Sequence, residues 1–297
     1  MSARWTDLLD PTRAEVDGIL PPGADPDVID ELVNPAREHD PRPLVEDHGS
    51  YVFGVLVPIV PIDGAPQTLE VCFVATPDRL VTVRKSSSTG AKLDMASLEA
   101  ADHAGKPVGA LVQQLVDDVA DTYLDMLDAL YAHIDALEDR IDDLRPAEAR
   151  AELAELRHTL LHRRRTVAAT RSSVRKIVDG RIEVGDPELF PPAVERLFAD
   201  TYDTLVRVTE ELDVARDLLA GVRDHMQSKI TENQNDVVKK LTVIASLVLV
   251  PSFVVGFFGQ NFEGEFSQGY WTIGFSMGVI VVSTLAQLAL YRWRRWI

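Results

Sequence analysis

The residues with the clearest chemical pattern lie near the C-terminal end of the chain. Asn235, Thr242, Leu249, Ser252 and Gly256 follow one another at steps of seven, seven, three and four, which on a helix makes one stripe. Amides and hydroxyls set in a run of Leu, Val, Ile and Phe need a purpose. Buried against other helices they are weakly polar packing glue; facing a water-filled axis they line a polar path. Composition leaves both readings open. The same run ends in Gly259, Gln260 and Asn261. Glycine permits a tight turn, and the amide oxygens can accept hydrogen bonds from water already bound to an ion. Mg²⁺ dehydrates reluctantly and is usually held with several waters kept. Side-chain amides can therefore recognise the hydrated ion without a fixed charge, although the tripeptide also reads as a plain turn. Pro251 has no N–H and loosens the helix locally, either as an ordinary membrane-helix proline or as a hinge.

The elements that must carry these residues are apolar enough to leave water. Leu241 to Phe258 is 18 residues without a charge, and Tyr270 to Tyr291 is 22. About 20 helical residues cross a hydrocarbon core of about 30 Å, so residues 241–258 and 270–291 are expected to be two transmembrane helices. Lys239 and Lys240 precede the first, Arg292, Arg294 and Arg295 follow the second, and the link at 259–269 has Glu263 and Glu265 but no Lys or Arg. The positive-inside rule then puts both termini, with the basic 292–297 tail, in the cytoplasm and the link outside. Tyr270, Trp271, Tyr291, Trp293 and Trp296 suit interfacial aromatic belts. Residues 1–20 contain Asp7, Asp10, Glu15 and Asp17 and no apolar centre, so no cleavable signal peptide is expected.

The 297 residues carry a net charge of −17, of which residues 241–297 contribute three bases against two acids, or +1. The first 240 residues therefore hold −18. Such an acidic excess argues against nucleic-acid binding, and a single cysteine excludes an intramolecular disulfide scaffold. Tyr51–Val60, Leu69–Thr76 and Leu80–Arg84 read as strands, with Cys72 as a small buried apolar residue in the second. They suggest a mixed α/β domain over 1–105, with short helical patches such as Val28–Val33 ahead of the strands. A helical domain is expected over 106–240. Val108, Val112, Leu115, Val119, Met126, Leu130, Leu137, Ile141 and Leu144 share one face, and a second helix covers about Ala147–Val178. A third starts after Pro191-Pro192 with the stripe Leu197, Leu205, Val208, Leu212, Ala215, Leu219, Val222, Met226 and Ile230, and its phase points on into Val237, Leu241, Ile244 and Val248. Continuous to Phe258, this helix is about 100 Å long at about 1.5 Å per residue. A helix of that length needs neighbouring helices or copies of itself.

Residues 117–143 contain ten acids and one base. They read as a solvated helix face or as a collector of cations, partly neutralised by the arginines of the second helix. His158 and His162 at i and i+4 could share a metal, but Arg163, Arg164 and Arg165 oppose a cation there. No nucleophile elbow, P-loop or Cys/His cluster is present, so hydrolysis and ATP-driven transport lack support and no enzyme activity is expected.

The C-terminal architecture resembles the CorA family of divalent-cation channels. The shared features are two terminal spans, the Gly-x-Asn signature standing here as Gly259-Gln260-Asn261 before Phe262-Glu263, and a basic-aromatic end. Asn235 to Ser246 (NDVVKKLTVIAS) and Leu197 to Leu205 (LFADTYDTL) add to it. The resemblance is strong over 190–297 and loose over 50–190. It implies a homopentamer with an α+β cytoplasmic funnel, a very long stalk and pore helix, and two spans in the cytoplasmic (inner) membrane. It also implies passive import of hydrated Mg²⁺, with Co²⁺ or Ni²⁺ as further cargo, gated by cytoplasmic metal. Gly259 and Asn261 would form the outer selectivity ring, Asn235 an inner polar ring, and Leu241 and Leu249 hydrophobic constrictions that gate by dewetting. Thr242 and Ser252 would line the path. Asp200 matches a regulatory metal ligand and Asp224 an acidic ring. Gln260 departs from the usual Met, which keeps open proton-coupled Zn²⁺ transport as in the ZntB-like branch, and a membrane metal sensor that does not conduct.

Overall fold

A computed structural model describes residues 4–36, 42–62, 65–87, 89–101, 105–185, 188–259 and 270–296. It divides into two compact units, Met1–Arg223 and Asp224–Ile297, taken in turn below.

The first unit is built on a five-stranded sheet in the order β1-β7-β6-β3-β2. The strands are β1 (Trp5–Leu9), β2 (Leu44–Asp47), β3 (Val52–Leu56), β6 (Glu70–Ala75) and β7 (Leu80–Lys85). β1 runs parallel to β7 and the other pairs are antiparallel. A separate hairpin of β4 (Ile59–Ile62) and β5 (Ala65–Thr68) stands beside it. The expected single strand over Tyr51–Val60 is therefore two strands. The chain breaks at Val57-Pro58, because proline cannot donate to a central ladder.

β3 and β6 are buried along their whole lengths, so both sheet faces are covered. On one face Phe53, Val55, Cys72, Val74, Val81 and Val83 pack with Val16 of α1 (Arg13–Asp17) and with Val28 and Leu32 of α2 (Pro26–Val33). Cys72 is fully buried, as its place in a strand suggests. Gly54 stands opposite Phe73 in the register, and a Cβ there would lie 2.2 Å from the Phe73 ring. The short helix α3 (Ala96–Glu99) leads to α4 (Val108–Arg140), which packs against β4, β6 and β7. Tyr123 of α4 is fully buried, and its hydroxyl donates to the Val57 carbonyl at 3.0 Å. Burial pushes that phenol well above its ordinary pKa.

α5 (Pro146–Val178) returns beside α4. Two of its arginines have partners other than the acids of α4. Arg164 Nε donates to Asp213 at 2.9 Å, and Arg163 donates to Thr68 and to the Pro66 carbonyl, holding the β4–β5 hairpin. The Arg164 guanidinium keeps the Asp213 carboxyl below the usual range.

α6 is one helix from Pro192 to Phe258, 67 residues long. Its buried residues in this unit are Val194, Phe198, Thr201, Leu205, Val208, Leu212, Ala215, Leu219 and Val222, at alternating steps of four and three, with Thr209 buried beside Val208. That is a period of 3.5, the repeat of a left-handed supercoil. Leu197, expected in the stripe, is 44% exposed. Phe198 and Thr201 take the core positions instead, and the Thr201 hydroxyl donates to Asp117 of α4 at 2.7 Å.

In the second unit Met226, Val243 and Val254 are buried and Val250 is half-buried, all on the same spacing, with no buried residue from Gln227 to Thr242. Val237, Leu241, Ile244 and Val248, which the sequence places in phase with the stripe, are all exposed. A 3.6-residue extrapolation drifts by about 20° per heptad from the 3.5 repeat that the helix follows. α7 (Tyr270–Trp293) runs back along α6, with the Tyr291 hydroxyl donating to Ser246 Oγ at 2.6 Å. Both helices are long and apolar enough to cross a membrane.

Candidate functional site

The membrane part of α6 has two faces. Towards α7 it turns Val243 and Val254, buried, with Ser246, Leu247, Val250 and Pro251 half-buried. Away from α7 it turns Asn235, Leu241, Thr242, Leu249, Ser252 and Gly256, all exposed, Leu249 to 68%. At about 100° per residue the two sets are centred roughly 150° apart. The polar stripe is thus not the glue between the two spans of one chain. Between the spans Ser246 of α6 accepts from Tyr291 of α7, whose half-buried polar side also carries Ser276, Ser283, Thr284 and Gln287. The sequence carries this polar side as Ser283, Gln287 and Tyr291 at steps of four in an otherwise apolar run, a signal the reading by apolar length passes over.

The hydroxyls of the outward stripe are already committed. Thr242 donates to the Val238 carbonyl at 2.8 Å and Ser252 to the Val248 carbonyl at 2.7 Å. Each hydroxyl has one hydrogen and two lone pairs, so both present acceptors outwards. A hydrated cation presents the hydrogens of its bound water. Acceptors of this kind suit it without the desolvation cost of a charge in an apolar layer.

Gly259 ends the helix. Its N–H donates to the Val255 carbonyl at 2.8 Å, and a Cβ on it would lie 2.9 Å from that oxygen. The first residue of the Gly-x-Asn signature is therefore fixed by backbone packing. At Gly256 a Cβ would meet nothing within 4 Å. Gln260 and Asn261 lie outside the described residues.

Asp200 is exposed on α6, one residue before buried Thr201, and its carbonyl accepts from Thr204 at 3.2 Å. Asp224 is also exposed. Among the described residues no three His, Cys, Asp or Glu side chains come together to hold a metal. One exposed carboxylate is too few ligands for a divalent cation, so a metal at Asp200 requires groups from elsewhere, such as a second copy of the chain. Lys239 ion-pairs with Asp236 at 2.9 Å just ahead of the first span, and its hydrogen bond holds that carboxyl below the usual range.

Part of the acidic run has structural work. Asp117 accepts from Thr201, and Asp118 accepts from Ser97. Burial pushes the Asp118 carboxyl up, with the Ser97 bond opposing. Burial also raises Asp121, helped by the charges of Asp117 and Asp125. Those three acids sit at i, i+4 and i+8 on one face of α4.

Comparison with known proteins agrees with this architecture. The profile of the CorA-like Mg2+ transporter protein family matches residues 2–292. The cobalt/magnesium transport protein CorA of Thermotoga maritima is 30% identical over 111 residues, which are 35% of this chain and 32% of that protein. The matched stretch thus spans about a third of the curated relative's length. The fold is similar to the complete CorA magnesium transporter from Methanocaldococcus jannaschii, with a TM-score of 0.78 and 17% identity over 99% of this chain and 91% of that one. It is also similar to the ZntB cytoplasmic domain from Vibrio parahaemolyticus, with a TM-score of 0.58 and 13% identity over 77% of this chain and 88% of that one. An α+β domain, one very long helix and two terminal membrane-length helices, matched along almost the whole sequence, make the chain a member of the CorA-like Mg²⁺ transporter family.

Proposed function

We propose that the chain carries hydrated divalent cations across the cytoplasmic membrane along the outward face of α6. The observation that carries this reading is the orientation of that face. Asn235, Thr242, Leu249, Ser252 and Gly256 turn away from α7, and the two hydroxyls offer acceptors outwards. Copies of α6 around an axis would convert one stripe into rings, with Leu241 and Leu249 as apolar constrictions that dewet. Gly259 and Asn261, with Gln260 between them, would form the outer selectivity ring that the family resemblance implies. From Gln227 to Thr242 no residue of α6 is buried within the chain. Isolated helical stretches of that length are marginal in water, which supports a homo-oligomer, with five copies as the family resemblance implies. Mg²⁺ is the expected cargo, with Co²⁺ or Ni²⁺ as further cargo, moving passively inwards under the membrane potential. Metal at Asp200 between copies would favour the closed form by binding it better than the open one, and Asp224 would add an acidic ring.

Uptake of Mg²⁺, Co²⁺, Ni²⁺ and Zn²⁺ into proteoliposomes, with and without a pH gradient, tests the reading. Mg²⁺ uptake that needs no pH gradient and falls in Thr242→Val is expected. Gln260 in place of Met favours a second reading, proton-coupled Zn²⁺ transport, which the same assay would show as Zn²⁺ flux following the imposed gradient without Mg²⁺ flux. No flux of any cation would leave a membrane metal sensor.

A further inference from the structure

A proline inside one span and an unpartnered amide oxygen on the other lie on the sides where the spans meet. Pro251 has no N–H, so the carbonyl four residues earlier, at Leu247, loses its helical donor. In hydrocarbon an unpaired carbonyl is costly, and a membrane helix keeps a proline where a neighbour supplies the missing bond. Leu247 and Pro251 are half-buried on the side of α6 that meets α7. On α7, Gln287 is half-buried, and its amide oxygen is sealed from solvent without a hydrogen-bond partner.

The register brings the two together. Tyr291 donates to Ser246 at 2.6 Å, and the helices run in opposite directions. Moving one turn back along α7, about 6 Å at about 1.5 Å per residue, reaches Gln287. The same movement is forwards along α6, past Leu247 towards Val250 and Pro251. Gln287 and Tyr291 lie on one face because they are four residues apart. An acceptor oxygen gains nothing beside a second acceptor. The terminal amide torsion is broad and roughly two-fold, and a half-turn exchanges that oxygen for an NH₂ with two donors.

We infer that Gln287 is a positioning residue for the Pro251 turn of α6: its amide NH₂ donates to the Leu247 carbonyl that Pro251 leaves free. The bond ties that turn to α7 and fixes the direction in which Ser252 and Gly256 continue beyond it. Only that last consequence rests on the proposed cation path; the bond itself is independent of any transport.

A double-mutant cycle on the full-length protein in lipid nanodiscs, with a ¹³C label at the Leu247 carbonyl, tests the bond. In Gln287→Met the labelled amide band is expected to move to higher wavenumber and the thermal midpoint to fall. In Pro251→Ala the residue 251 N–H serves Leu247, so adding Gln287→Met is expected to move neither. A Leu247 band unmoved by Gln287→Met, or a shift of equal size in both backgrounds, overturns the assignment. Should Gln287→Met fail to assemble, Gln287→Asn is read by the same two measurements, since its amide is one methylene short of the carbonyl. Cation uptake is not a readout of this test, so a failure of the transport reading leaves its outcome distinct.

Discussion

Gly256 and Gly259 are three residues apart and answer to opposite demands. A side chain at 259 would press on the Val255 carbonyl at 2.9 Å, whereas at 256 it meets open space. Gly259→Ala is expected to lower the thermal stability of the membrane unit by about 1–3 kcal/mol, the usual cost of overpacking. Gly256→Ala is expected to raise it by up to about 1 kcal/mol, the helix preference of Ala over Gly. Thermal melts in detergent compare the two, and equal effects would refute the steric account of Gly259. A second residue-scale feature is the ion pair of Lys85 with Glu70, both 2% exposed, with Glu31 3.9 Å from the ammonium. It sits beside Cys72, whose thiol burial pushes well above its ordinary pKa. Removing one partner strands a charge in the sheet core. Lys85→Met alone is expected to cost about 3–5 kcal/mol, and Lys85→Met with Glu70→Leu much less, because the pair's desolvation cost disappears with the pair. Chemical denaturation of the single and double variants checks this.

At the scale of elements, α4 carries its acids against its own interest. Asp117, Asp121 and Asp125 are like charges one turn apart, and burial raises the Asp121 carboxyl above its ordinary value. The folded state then holds that proton more tightly than the unfolded chain. Stability is fully present below the ordinary carboxylate value and falls as pH rises through the raised one. Asp121→Asn is therefore expected to stabilise the protein at pH 7 by about 0.5–1 kcal/mol, from two like-charge pairs, with no gain below the ordinary carboxylate range. Melts at the two pH values decide it. A gain of equal size at both would point to a cause other than charge. α6 shows why its inner face was only partly legible. The apolar residues Leu205 to Met226 are plain in the sequence, but Leu197 is apolar and exposed while Thr201 is polar and buried. Asp117, 84 residues away, makes Thr201 the core residue, and no local pattern contains that bond. β1 is a similar case. No strand is expected there from the sequence, yet its Asp7 accepts from Arg84 Nε at 2.9 Å and from the Thr82 hydroxyl at 2.8 Å across the parallel pair with β7.

For the whole molecule, the placement of charge matters more than its sum. The −18 of the first 240 residues belongs to the unit outside the membrane helices, and −9 of it to residues 117–143. Part of that run is tied into bonds with Ser97 and Thr201, and a run so largely of one sign concentrates counter-ions around it. Asp200 stands exposed on the same long helix that carries the outward stripe, which suits a metal shared between copies. Mg²⁺ uptake is expected to fall as Mg²⁺ is raised on the cytoplasmic side, and Asp200→Ala is expected to remove most of that dependence while leaving uptake at low metal unchanged. Stopped-flow uptake at graded internal Mg²⁺ measures it, and an unchanged dependence would displace the regulatory role from Asp200.

The sequence alone determined the two membrane-length helices, the one uninterrupted helix leading into the first of them, and the stripe from Asn235 to Gly256. Each depends on run length or on spacing along a single helix, which local geometry settles. Tertiary structure decided which side of that helix meets α7, that Ser246 and Tyr291 bond between the spans, and that Phe198 and Thr201 rather than Leu197 enter the core. Those choices depend on where distant residues arrive, and a period counted along one helix cannot say which of its faces will be covered.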